Sequence, residues 1–140
     1  MRLSVFSPEY STQLFIDLSK LYQNYFSPEQ LTTASLQALI EDQQSQLFVT
    51  LFNARHLGAL RAHTTGQEAT LSLLCVRDLT RRRGIAKNLL KEVEKRLKNK
   101  NIAVVKMRLN EFSEQEKKGV TVFMQACGYS LANALFSKNL

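Results

Sequence analysis

The stretch that most restricts what this chain can fold into is residues 70–93, TLSLLCVRDLTRRRGIAKNLLKEV. Residues 71–76 are apolar apart from Ser72, which predicts a buried strand. Arg81, Arg82, Arg83 and Gly84 follow. Beyond them, Ala86, Leu89, Leu90, Val93 and Leu97 recur at the spacing of one helix face, predicting a helix over 85–99. A small-residue turn that opens a helix points backbone N–H groups at an anion, and the helix dipole and nearby guanidinium groups favour negative charge there. Gly84 permits close backbone approach, and Ala86 keeps the first turn uncrowded. The residues therefore read as a diphosphate site. The alternative is a solvated basic loop joining a strand to a surface helix; the placement between a buried strand and an amphipathic helix favours phosphate. The stretch is not a P-loop, which needs Gly-Lys-Ser/Thr, and it lacks the glycines of a dinucleotide fingerprint.

Charge supports an anionic ligand. Residues 77–108 carry twelve Lys/Arg against three Asp/Glu, a surplus of nine, so the rest of the chain holds −2 of the formal net +7. The positive charge is gathered around the arginine turn and its helix. Nucleic acid is one explanation, and a polyanionic small ligand is another. No aromatic residues interleave with this stretch, which counts against single-strand stacking.

At 140 residues the natural count is one domain, 1–140, with enough chain for a proper core. Cys75 and Cys127 sit in apolar contexts and read as buried thiols in a reducing compartment, not as a disulfide or metal pair. The first ten residues hold no hydrophobic run of signal-peptide or membrane length, so a cytoplasmic location is expected.

In chain order, residues 3–6 predict a short strand and 11–25 a helix. Ser27-Pro28-Glu29-Gln30 is a helix start with a capping box, opening a helix to about Gln43. Strands are expected over 47–52 and 57–63, joined by a turn at Asn53-Ala54-Arg55. A further turn at 65–68 leads into the strand before the arginine turn. After the helix of 85–99 come a strand over 102–109, a polar loop over 110–116 and a helix over 118–127. Val120, Phe123, Met124 and Cys127 share one face of that helix, and Gly128 is expected as its left-handed cap. Strands over 129–131 and 135–138 end the chain.

Arg81-Arg82-Arg83-Gly84-Ile85-Ala86 resembles the Gln/Arg-x-x-Gly-x-Gly/Ala motif of the GNAT acetyltransferases, and the order β-αα-βββ-α-β-α-ββ resembles theirs over essentially the whole chain. The resemblance implies an α/β (α+β) fold with a mixed, mostly antiparallel sheet flanked by helices, whose central strand splays from its neighbour to admit the cofactor. It implies binding of acetyl-CoA or CoA by backbone groups of Leu74, Cys75 and Val76 and by the turn Thr80, Arg81, Arg82, Arg83, Gly84, Ile85, Ala86 and Lys87. In that family the acid that protonates the departing thiolate is commonly a Tyr four residues before the glycine closing the late helix. Here that position is Met124, which carries no proton to donate. Ser72 is the only polar side chain of the central strand, with Glu68, Asp78 and Glu111 flanking it. No catalytic residue is therefore assigned, and Met124 reads equally as core packing.

A narrower resemblance fits that departure. Ile16-Asp17-Leu18, Phe52-Asn53 with Arg55, Thr80-Arg81-Arg82-Arg83-Gly84, and Phe123-Met124-Gln125-Ala126 with Gly128 are similar to strings in the acetyltransferase-fold maturation factors of aspartate α-decarboxylase. Cys75, Ser72, Ala86 and Leu51 depart from that pattern. The resemblance implies an acetyl-CoA-binding regulator whose partner is the aspartate 1-decarboxylase proenzyme and which promotes its self-cleavage to the pyruvoyl form. Asn53, Met124 and the segment 110–118 are the candidates for the acetyl end or the partner face. Asn53 has an equal reading as a hairpin-turn residue. The alternative function is an active N-acetyltransferase for an amine, and a basic nucleic-acid-binding module comes third.

Overall fold

The computed structural model describes residues 3–77 and 83–140. Seven strands form one sheet in the order β1-β2-β3-β4-β5-β7-β6. They are β1 (Ser4–Phe6), β2 (Ser45–Phe52), β3 (Arg55–Thr65), β4 (Glu68–Val76), β5 (Val104–Arg108), β6 (Ser130–Ala132) and β7 (Leu135–Asn139). All neighbours pair antiparallel except β4 and β5, which run parallel. The helices are α1 (Thr12–Leu21), α2 (Thr33–Glu41), α3 (Arg83–Asn99) and α4 (Glu114–Ala126). The mixed sheet with flanking helices is the fold expected from the sequence.

Strand alternation sends side chains to two cores. Leu47 and Val49 of β2 pack with Leu14, Leu18, Tyr22 and Leu36 from the α1–α2 side. Phe48, between them, points the other way and joins Leu89, Leu90, Val93, Val120 and Met124 beneath α3 and α4. Among the described residues no helix is long and apolar enough to cross a membrane.

The helices depart from the sequence expectation most at three places. The capping box of Ser27 and Gln30 forms, but it caps only a 3-10 turn, Pro28–Leu31. Thr32 then extends (φ −72°, ψ 157°) and its side chain accepts from the amide of Ser35, so a second cap restarts the chain as α2. Helix α1 stops at Leu21, short of residue 25. The expected polar loop over 110–116 is instead a 3-10 turn, Leu109–Glu111, followed by α4, whose capping box is Ser113 with Glu116. Gly128 does close α4, with φ +96°.

Candidate functional site

The site grows from an interruption in the sheet. Strand β4 pairs with β5 only from Glu68↔Val104 to Leu71↔Met107. On its other edge it stays with β3 as far as Gly58↔Val76, through a register shift between Ala59 and Arg61. Opposite that shift Leu73 has φ 56°. A left-handed conformation costs a non-glycine residue about 1–2 kcal/mol, so neighbours must hold it. The fully buried Tyr22 does so by donating its hydroxyl to the Leu73 carbonyl at 2.7 Å. Beside it, Arg61 Nε donates to Ser72 Oγ at 3.0 Å. Past the bulge the β5-facing edge of residues 72–76 has no strand partner among the described residues, which is the splay expected of the central strand.

A cleft of 1010 Å³ opens there, lined by Leu21 at the end of α1 and Asn24 and Tyr25 in the turn after it, by Cys75, Val76 and Arg77, and by Ser113, Glu116 and Gly119 at the start of α4. Cys75 donates its thiol to the Leu21 carbonyl at 2.9 Å. Burial, with Glu116 adding to it, pushes this thiol up to about 12, so it remains neutral and is no nucleophile. The Tyr25 hydroxyl donates to Glu116 Oε2 at 3.3 Å, while Glu116 Oε1 accepts from the amide and hydroxyl of Ser113. That carboxylate thus caps α4 and ties it to the end of α1 across the cleft. Burial, then Cys75 and Glu116, raise the Tyr25 pKa, keeping its proton in place.

At the next step of the chain, Thr80, Arg81 and Arg82 lie outside the described residues, and Arg83 opens α3. A Cβ built on Gly84 would meet nothing within 4 Å. Among the described residues nothing demands a glycine here; its effect is to add no side chain at the helix start. Ile85 and Ala86 turn inward, packing with Leu57 and Val76, and Lys87 is exposed. Leu74 is buried, so from the Leu74-Cys75-Val76 segment only the backbone and the Cys75 and Val76 side chains face the cleft. The residues present fit a pantetheine arm along an unpaired strand edge and a diphosphate at a bare helix start.

Two candidates fall away from the cleft. Met124 is 0% exposed and sits in the core beneath α3 and α4, so its side chain meets no partner surface. The α4 spacing that sends Val120 inward carries Met124 with it. Asn53 and Ala54 have φ 51° and 62°, the geometry of a two-residue hairpin turn between β2 and β3. That geometry accounts for Asn53 as a turn residue; it is exposed and does not line the cleft.

A residue with no role assigned from the sequence organises the same end of the sheet. Asp17 of α1 is 0% exposed and accepts from Gln13 Nε2 (3.0 Å), Arg55 Nε (3.0 Å) and the His56 amide (2.8 Å), with Arg77 Nη2 at 3.6 Å. Burial alone would raise its pKa. The His56 amide and ring, Arg55 and Gln13 outweigh burial and hold it at about 2. Arg77 lines the cleft and stands three residues before Thr80, where the arginine turn begins. The available signal was position: Asp17 stands three residues after Leu14 and four before Leu21, on the apolar face of α1.

Comparison with known proteins agrees with this geometry. Residues 3–137 match the model of the PanZ acetyltransferase (GNAT) domain. The PanD regulatory factor of Escherichia coli (strain K12) is 36% identical over 131 residues, 93% of each chain. That of Salmonella typhimurium (strain LT2) is 31% identical over the same length and the same shares. Among solved structures, the solution NMR structure of E. coli YhhK bound to coenzyme A is similar with a TM-score of 0.78, 31% identity and full coverage of both chains. With the match spanning nearly its whole length, this chain belongs to the PanZ family of GNAT acetyltransferase domains.

Proposed function

We propose that this protein binds acetyl-CoA or CoA in the β4 cleft and acts as a regulator of aspartate 1-decarboxylase. In this reading it promotes self-cleavage of the proenzyme to the pyruvoyl form and links β-alanine and pantothenate synthesis to CoA supply. The observation that carries it is the combination of an open cleft beside an unpaired strand edge with a wholly buried methionine at the expected position of the proton donor. Such a site holds a thioester without an evident means of spending it. The names of the two bacterial relatives and the coenzyme A in the E. coli structure support the same reading.

A ligand that is not consumed acts by binding the free and assembled states differently, and that coupling is reciprocal. The partner surface in this reading lies beside the cleft, on the first turns of α4. The experiment is a pair of titrations with purified decarboxylase proenzyme, each ligand measured with the other saturating. Coupling of about 1–3 kcal/mol in both directions is expected. Equal affinities with and without acetyl-CoA remove the regulatory role, and no association removes the partner.

One observation favours the alternative of an active N-acetyltransferase. The Tyr25 hydroxyl lies in the cleft, protonated and hydrogen-bonded to Glu116, as a second potential donor to a thiolate. Acetylated product across an amine panel, lost in Tyr25→Phe, would establish it.

A further inference from the structure

Two further cavities share Phe26 and Leu73 as walls. One, of 330 Å³, lies against α2 and is lined also by Leu36, Leu39 and Arg61. The other, of 200 Å³, is lined also by Tyr25, Leu74, Phe112 and Glu111. Each is a largely apolar chamber with one charged side chain, a guanidinium in the first and a carboxylate in the second. Arg61 Nε donates to Ser72 Oγ at 3.0 Å, a neutral partner, and the guanidinium forms no ion pair among the described residues. Its field reaches Asp42 and Glu111. Asp42 is engaged elsewhere, accepting from the Gln44 amide and the Ser45 hydroxyl. Glu111 forms no ion pair among the described residues either. Burial pushes its pKa up, while Arg61, Arg108 and the Leu73 amide act against burial. A charge beside apolar walls is costly until a counter-charge meets it.

We propose that the two chambers form one binding site for a small ω-amino acid, its carboxylate on Arg61, its ammonium on Glu111 and its methylenes against Phe26 and Leu73. A guanidinium receives a carboxylate on two parallel N–H bonds, and with Nε held by Ser72 the two Nη groups present that fork. An ammonium is donor-only, which suits a carboxylate that accepts. Opposite charges in adjoining chambers call for a ligand whose own charges are held apart. Simple carboxylic acids and simple amines satisfy one chamber only, and α-amino acids carry both groups on one carbon. An ammonium paired with Glu111 has no lone pair to attack a thioester, so the ligand is bound and not acetylated. Tyr25 lines both this site and the β4 cleft, so the two sites adjoin. The inference stands apart from the CoA reading, although β-alanine, named in the function proposed above, is the shortest ligand of this class.

The test is calorimetric titration of the full chain, at about 0.15 M salt so that long-range attraction is screened. The ligands are β-alanine, 4-aminobutyrate and 5-aminovalerate, compared with butyrate, butylamine and leucine. The best ω-amino acid should bind about tenfold tighter than butyrate or butylamine, the magnitude of one charge-assisted contact at a partly exposed site. Glu111→Gln keeps an acceptor for the Leu73 amide and removes the charge. It should abolish the preference over butyrate while leaving butyrate within about threefold of wild type. Arg61→Gln should abolish the preference over butylamine. Glu111 is exposed, so its substitution spares the core and decides the matter even where Arg61→Gln, beside the bulge, fails to fold. No binding of any ω-amino acid, affinities equal to those of butyrate and butylamine, tighter binding of leucine, or a preference that survives Glu111→Gln overturns the site. Acetylated ω-amino acid formed on adding acetyl-CoA overturns the unreacted ligand and favours the acetyltransferase alternative.

Discussion

The backbone amide and the ring Nδ1 of His56 both lie 2.8 Å from the same oxygen of Asp17. One carboxylate, wholly inside the protein, thereby pins α1 to the start of β3. Its other oxygen holds Arg55 and Gln13 and faces Arg77 at the mouth of the cleft.

Asp17 makes the fold sensitive to acid in a defined window. Its folded pKa, about 2, lies below the ordinary aspartate value of 3.8, so its contribution is complete above about pH 4 and is lost as pH falls toward 2. The shift corresponds to about 2 kcal/mol. Asp17→Asn should lower unfolding stability at pH 7 by about that amount or more, since the Arg55 pair is lost too. Its stability should also fall less than that of wild type between pH 4 and 2. Urea denaturation across that range measures both, and parallel pH profiles for the two proteins would remove the assignment.

Gly84→Glu should abolish CoA binding, placing bulk and negative charge against the diphosphate. It should leave the melting temperature nearly unchanged, because a side chain there meets nothing within 4 Å. Arg83→Ala should cost about 1.5–3 kcal/mol of binding where its guanidinium meets phosphate, less where its neighbours compensate. Calorimetry and thermal melts read the two effects separately; unchanged CoA affinity in Gly84→Glu moves the site elsewhere.

Tyr22→Phe removes the hydroxyl that holds the Leu73 carbonyl and leaves that buried acceptor without its partner. A loss of about 1–3 kcal/mol is expected. Because the bulge shapes the cleft, CoA affinity should fall as well. A variant that loses stability and keeps full affinity would separate the bulge from the ligand site.

Met124→Ala should destabilise the protein by about 2–5 kcal/mol, as a buried side chain truncated in a packed core. Wild-type acetyl transfer to small amines should be weak, since general acid–base assistance is typically worth about 10²–10⁴-fold in rate. Robust turnover in wild type that survives in Met124→Ala would promote the acetyltransferase reading.

Those features that rest on periodicity or local chemistry were readable in the sequence. The apolar run of β4, the glycine opening α3, the seam of Leu89, Leu90 and Val93, and the cap at Gly128 all announce themselves within a few residues. The start of α4 did not, because Glu114, Gln115, Glu116 and Lys117 give its first turn no apolar periodicity, although Ser113 and Glu116 have capping-box spacing. Thr32 hid a helix break behind an earlier cap. The Leu73 bulge has no local signature, since no glycine or asparagine stands there; it follows from Tyr22, fifty-one residues away. Asp17 was visible only as a carboxylate on an apolar helix face, and its partners beyond α1 come from two other segments, the start of β3 and the end of β4.

The early parting of β4 from β5 has a mechanical consequence. Among the described residues, four residue pairs, from Glu68↔Val104 to Leu71↔Met107, are all the ladder that joins strands β1–β4 to the β5-β7-β6 group. A seam that short acts as a hinge line between two plates, and torsion of the sheet concentrates there. The open part of the seam is faced instead by β4 on one side and the first turns of α4 on the other, so a molecule lodged there would bridge the gap that the missing ladder leaves.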